Sequence, residues 1–201
     1  MSMFRASEDS PRMFESDFVD AFSRTHFALV PLLFVPASLA LLAYSIGWKD
    51  IAALPSLGLT IGGIVAWTFT EYWLHRTFFH WQPKTSWGPR MHFFVHGVHH
   101  DWPHDKYRLV MPPAVSITLF FVFLAIWLLA LGSYGWAFHA GYVCGYMIYD
   151  LTHYYLHHGK PKSTYFKKLR RHHMSHHFNK KFQEARFGVS TRLWDRVFRT
   201  M

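Results

Sequence analysis

The sequence predicts an all-α integral membrane protein, with four transmembrane helices in two hairpins and a helical cap on the cytosolic side. Three observations predict it. Four long apolar runs alternate with polar stretches. If those runs cross a bilayer, 20 of the 21 Lys and Arg fall on one side and only Lys49 on the other, the distribution of a cytosol-facing surface. Ten of the 16 histidines form four clusters on that same basic side.

The composition agrees. No Ser/Gly-rich linker or tandem repeat divides the 201 residues, so residues 1–201 read as one unit. The 51% of apolar residues are gathered into runs rather than spread at amphipathic spacing. A net charge of +9 and a pI near 9.8 would suggest nucleic-acid binding in a soluble chain. Here the one-sided charge accounts for the basic balance, and no nucleic-acid partner is expected. Cys144 is the only cysteine, which excludes an intrachain disulfide and any multi-cysteine metal site. The N-terminus lacks the basic-then-apolar pattern of a cleaved signal, so the first apolar run is expected to be a retained anchor.

Between Met1 and Arg24, Phe14, Phe18 and Phe22 recur every four residues among Glu15, Asp17 and Asp20. This pattern fits a short amphipathic helix at the membrane interface or a loosely ordered tail. Residues 27–48 form the first span, with Pro31 and Pro36 as possible kink points. After a turn at Gly47-Trp48-Lys49-Asp50, residues 51–74 return the chain, ending in Glu71 and then His75. Residues 75–113 are polar, aromatic and broken by Pro83, Gly88, Pro89 and Pro103. They form the first part of the cap. Residues 114–131 and 136–151 make the second hairpin around Gly132-Ser133-Tyr134-Gly135. Both are short for full crossings, which implies help from interfacial aromatics or local thinning. Residues 152–201, with 12 Lys and Arg against Glu184 and Asp195, complete the cap. Gly58 with Gly62, and Gly141 with Gly145, mark close helix packing.

The histidines carry the chemistry. His96, His99 and His100 fall on one face of a helix within a turn, and His173, His176 and His177 repeat the spacing. His75 with His80, and His153 with His157, complete the set. Two hairpins bring all four clusters to the same side. Isolated histidines more often serve as hydrogen-bonded structural residues, and His26, His92, His104 and His139 are read that way. Ten candidate ligands exceed the four to six that one first-row ion accepts, so a dinuclear metal site is expected in the cap. Glu71, Asp101 and Asp150 lie within four residues of these ligands, either to orient them or as interfacial charges and helix caps. A site at the membrane surface faces lipid chains, and attack on an unactivated C–H bond needs a redox metal and dioxygen. Iron is therefore the functional choice, although zinc outcompetes ferrous iron at nitrogen ligands and can occupy purified protein.

With these residues in view, the sequence resembles the fatty acid 2-hydroxylases of the membrane-bound, histidine-rich fatty acid hydroxylase and sterol desaturase superfamily. The likeness runs from about Glu71 to the C-terminus. Beyond the histidines it includes the strings RLVMPP from Arg108, GYMIYD from Gly145, HYYLH from His153 and FGVSTRLWD from Phe187. The resemblance implies hydroxylation at C2 of a free fatty acid or the acyl group of a ceramide-like lipid, with O2 and two metal ions. It carries the ligand role to His75, His80, His96, His99, His100, His153, His157, His173, His176 and His177. His158 and His172 adjoin ligands and are expected just outside them. Trp102, Arg108, Tyr149, Tyr154 and Tyr155 are candidates for binding the polar head, or equally members of the interfacial belt. Eukaryotic members carry a cytochrome b5 domain that this sequence lacks, which implies a separate electron-transfer protein, cytochrome b5-like or ferredoxin-like. The basic tail suits either an acidic carrier or lipid headgroups.

The competing readings are a hydroxylase of a carotenoid, sterol or lipid headgroup in the same superfamily, and a histidine-rich metal transporter. Transport places ligands near the bilayer midplane, whereas these lie at span ends. The C-terminal Phe198-Arg199-Thr200-Met201 contains no organelle retrieval signal. The expected location is therefore a bacterial inner membrane, with the metal site on the cytoplasmic side.

Overall fold

The computed structural model describes residues 7–201, so Arg5 and the start of the N-terminal segment lie outside the described residues. Among the described residues the fold is all-helical, and the one β-type pairing is an isolated bridge between Ser7 and Ser10. Helix α1 (Asp17–Phe22) is capped by the Ser16 side chain, and it exposes Phe18, Val19 and Phe22. Its other face buries Asp20. The N-terminal segment thus contains the amphipathic helix of the two alternatives.

Three stretches are long and apolar enough to cross a membrane: Leu29–Gly47, Ala53–Phe79 and Pro113–His158. The first is α2 (Leu29–Gly47), where Pro31 sits in the first turn and costs no helical hydrogen bond. The helix runs on through Pro36. The second begins as α3 (Ala53–Trp73) and continues without a break into a π-helical turn, Leu74–Phe79. The third divides at Gly132–Tyr134, where Gly132 takes φ 56°, a left-handed conformation that favours glycine. Helix α6 (Pro113–Leu131) and helix α7 (Gly135–His158) fold back on each other there, with Trp127 on Phe138 and Phe123 on Tyr142.

Helix α7 is the centre of the bundle, packed by α2, α3 and α6. Trp67 of α3 meets Tyr142 and Tyr146 edge-on at 5.1 and 5.3 Å, and Phe34 of α2 meets Tyr146 at 5.2 Å. A Cβ at Gly141 would collide with the Thr60 carbonyl, and one at Gly145 with the Trp67 side chain. On α3 the matching close contact belongs to Gly63, beside Phe138 and Tyr142, while Gly58 faces open space. Of the expected Gly58/Gly62 pair, Gly62 does pack on the Phe138 ring, whereas Gly58 is replaced by Gly63, because the buried face of α3 is set by α7 rather than by the four-residue spacing. The Ser38 and Thr60 hydroxyls donate to the Ala140 and Ala137 carbonyls, adding polar contacts between helices. Large apolar side chains such as Leu32, Leu54, Phe121 and Leu129 point outward instead. An exterior of this kind suits a bilayer, not water.

The segments outside these three stretches are shorter. Helix α4 (Gly88–His92), a π-helical turn (Phe93–Gly97) and α5 (Val98–Asp101) follow one another directly. Helix α8 (Thr164–Phe178) is capped by Ser163, and α9 (Leu193–Val197) ends the ordered helices. Beyond residues 74 and 151 the helical path continues through the π-helical turn and through α7, carrying His75, His153 and His157.

Candidate metal centre

The ten clustered histidines separate into two pockets of five. His75, His80, His96, His100 and His176 form the first, and His99, His153, His157, His173 and His177 the second. Within each pocket the five candidate ligand nitrogens lie within 4.8 Å of one another. Two stretches divide their histidines by pocket. The stretch from Phe93 to Asp101 sends His96 and His100 to the first pocket and His99 to the second. Helix α8 sends His176 to the first and His173 and His177 to the second. Each sequence triad is therefore split between pockets, a correction to the reading of its three imidazoles as one helix face. The pockets adjoin, with the His100 and His177 rings 4.4 Å apart.

The geometry fits metal ions. In the first pocket His96 Nε2 lies 3.1 Å from His75 Nε2 and 3.0 Å from His100 Nε2, and His80 Nε2 lies 3.2 Å from His176 Nε2. In the second, His173 Nε2 lies 2.9, 2.9 and 3.1 Å from the Nε2 atoms of His153, His157 and His177. Nitrogens about 2.0–2.1 Å from an ion and at right angles across it stand about 2.9 Å apart, so these spacings match the edges of a coordination polyhedron. His99 Nε2 is buried without a hydrogen-bonding partner among the described residues. Burial pushes the imidazoles of His80 and His176 down to about 4 and that of His100 to about 3, and neighbouring histidines add to the effect. His96, His99 and His173 are held well below the usual range for the same reasons. All are neutral at pH 7, the form that ligates metal.

A frame outside the first pocket holds its rings. His75 Nδ1 pairs with the Phe187 carbonyl at 2.6 Å, and His176 Nδ1 with the Ala185 carbonyl at 2.7 Å. Glu71 accepts hydrogen bonds from the Val189 and Ser190 amides and from the Ser190 hydroxyl. Glu71 therefore acts on the loop that holds His75, not on a ligand directly. Asp195 accepts from the Phe187 and Gly188 amides and pairs with His172 Nε2 at 2.9 Å. Sequence reasoning missed Asp195 as a site residue. Its signal was present, since only two acids, Glu184 and Asp195, stand among 12 basic residues in the tail.

The remaining candidates fall in varied places. Asp150 accepts from the Met111 amide. The exposed Asp101 side chain makes no hydrogen bond or ion pair among the described residues, so it orients no ligand. His158 is half-buried beside the Tyr154 ring. Arg108 is withdrawn as a head-binding candidate. Its guanidinium lies buried between Asp20 at 2.9 Å and Asp105 at 3.5 Å, and it also donates to Ser23 and to the Pro11 carbonyl. Among the aromatic candidates, Tyr149 lies beside His153, with ring centroids 5.9 Å apart. Tyr154 stacks on Phe27, Tyr155 donates to the Lys160 carbonyl, and Trp102 packs on Phe93. His26, His92, His104 and His139 join neither pocket.

An all-helical chain with an apolar exterior and two adjoining five-histidine pockets belongs to the class of histidine-rich membrane hydroxylases. Comparison with known proteins narrows the class. The profile of the fatty acid hydroxylase family matches residues 60–200, and the chain belongs to that family. It is 40% identical over 195 residues to dihydroceramide fatty acyl 2-hydroxylase FAH2 of Arabidopsis thaliana, covering 96% of this chain and 81% of the relative. It is 38% identical to the fatty acid 2-hydroxylase of Mus musculus, covering 94% of this chain and 56% of that protein. A solved structure of full-length scs7p, in which only the hydroxylase domain is visible, superposes with a TM-score of 0.84 at 34% identity. It covers 91% of this chain and 69% of the other.

Proposed function

We propose that the chain is a membrane-bound dinuclear-metal oxygenase that hydroxylates a fatty acyl chain at C2, with O2 and an external electron donor. The observation that carries this reading is the pair of adjoining five-imidazole pockets at the ends of apolar helices. Relatives named for dihydroceramide fatty acyl and fatty acid 2-hydroxylation support an acyl substrate, free or in a ceramide-like lipid. In this reading α2, α3, α6 and α7 each cross the bilayer, and the ten histidines lie in a cap on the cytosolic side where Lys and Arg collect. The bacterial inner membrane expected from the sequence finds no support in these relatives, which come from a plant and a mammal.

The ten clustered histidines would hold two ions, and bound iron would supply the redox chemistry with O2; zinc would fill the same nitrogens without supplying it. The chain's own residues do the rest. The neutral imidazoles keep their lone pairs available, and the Phe187 and Ala185 carbonyls fix the rings of His75 and His176. In this reading the apolar helices exclude water and guide an acyl chain toward the pockets, and Tyr149 packs beside His153 of the second. Regiochemistry then comes from position. A separate cytochrome b5-like or ferredoxin-like protein would deliver electrons, docking on the basic tail.

Lipid mass spectrometry of a heterologous host expressing the chain tests this reading, with iron supplied and growth under oxygen. A 2-hydroxyacyl species is expected with the wild type and absent with His176→Ala. Hydroxylation at another carbon, or only on a sterol or headgroup, would overturn the assignment.

A further inference from the structure

The two pockets differ in what surrounds them. In the first, His75 Nδ1 has the Phe187 carbonyl at 2.6 Å, and His176 Nδ1 has the carbonyls of Ala185 at 2.7 Å and Phe182 at 3.2 Å. In the second, among the described residues, the Nδ1 atoms of His153, His173 and His177 are buried with no hydrogen-bonding partner, and only His157 has a backbone partner, at Pro103. The carbonyls of the first pocket come from one short segment, and that segment is itself held by two buried carboxylates.

Four consecutive amides are shared between those carboxylates. Phe187 and Gly188 donate to Asp195 at 2.9 and 2.8 Å, and Val189 and Ser190 donate to Glu71 at 3.3 and 2.9 Å. Glu71 comes from α3, the helix that carries His75 onward, and Asp195 from α9. A side chain at Gly188 would strike the Thr191 carbonyl and the Asp195 carboxylate, so the loop passes too close to its clamp for any other residue. An outer partner fixes a ligand's tautomer and orientation and raises its basicity, and losing one typically costs about 10- to 100-fold in metal affinity.

We propose that the segment from Phe182 to Ser190, clamped by Glu71 and Asp195, is an orienting frame for one pocket alone, and that it makes this pocket the tighter of two unequal metal sites. The inference rests on the reading of both pockets as metal sites. Exposure acts on a different quantity. His80 and His100 leave the first pocket more open than the fully buried second, which speeds exchange in both directions without setting the affinity. The inequality is therefore an equilibrium property, and it assigns Glu71 and Asp195 as positioning residues.

The test uses the full chain in detergent, loaded with Zn2+ and dialysed to equilibrium against a graded series of chelator. Bound zinc is counted by elemental analysis, and crystals grown at the half-depleted point are read by anomalous scattering at the zinc edge. We expect two steps, with the residual peak among His75, His80, His96, His100 and His176. Glu71→Gln should weaken that site about 10- to 100-fold and leave the other within about twofold. A residual peak in the second pocket, a single step releasing both ions, or an equal shift of both sites in Glu71→Gln would overturn the inference and leave the metal reading standing. A chain that binds no zinc would overturn both. The wild-type measurement decides the matter even where Glu71→Gln fails to fold.

Discussion

His99 and His100 are neighbours in the chain and serve different pockets. His99 joins His153, His157, His173 and His177, while His100 Nε2 lies 3.0 Å from His96 Nε2 in the other site. Successive helical residues point about 100° apart, so a helix passing between two sites can feed both. His99→Ala and His100→Ala should each remove one ligand from a different site. We expect either variant to keep one ion per chain at limiting metal and to lose at least about 100-fold in hydroxylation, since an ion lost from its ligands costs more than an outer partner. Elemental analysis beside product assay checks this. Equal loss of both ions in both variants would contradict the division.

How much of this was legible in the sequence follows from the same residues. The ten histidines and the apolar runs stand out because metal ligation and membrane crossing demand particular residue types at particular spacings. Their division between pockets does not, because one helix can feed two adjoining sites with no change in spacing: His173, His176 and His177 share the regular helix α8 and still divide. The partners of His75 and His176 are backbone carbonyls, which leave no side-chain signature. Arg108 carried an ambiguous signal, since a basic residue near a membrane suits a lipid head and a buried ion pair equally.

The structure resolves that ambiguity for Arg108 in favour of stability. Removing one partner of a buried ion pair leaves an uncompensated charge and costs about 3–5 kcal/mol. Arg108→Ala should therefore lower the unfolding midpoint in detergent and leave the substrate KM of the surviving fraction unchanged. A raised KM with unchanged stability would restore the head-binding role.

The same network predicts an acid response. Burial raises the Asp20 carboxyl, but the Met13 amide and the Arg24 and Arg108 guanidinium groups outweigh it and hold the group below its usual value. A depressed carboxylate contributes stability that is present above its unfolded pKa, about 3.9, and is lost as pH falls through the folded value. Asp20→Asn should destabilise the chain at pH 7 and flatten the loss of stability below about pH 4. Thermal melts across that range check it.

Helix contact along α7 gives a contrast between glycines. Gly141→Val and Gly145→Val force a side chain into the Thr60 carbonyl and the Trp67 side chain, and overpacking of this kind costs about 1–3 kcal/mol or more. Gly58→Ala meets nothing and should be neutral or slightly stabilising. Melting in detergent separates the two cases, and a destabilised Gly58→Ala would show that α3 has another partner.

The central claim is the reaction, and isotope incorporation tests it most directly. Purified iron-loaded protein would be incubated with a ceramide, an electron donor and 18O2, and the product fragmented by mass spectrometry. The account predicts one 18O atom in a hydroxyl at C2 of the acyl chain. Label at any other position, or a 2-hydroxyl whose oxygen comes from water, would contradict it.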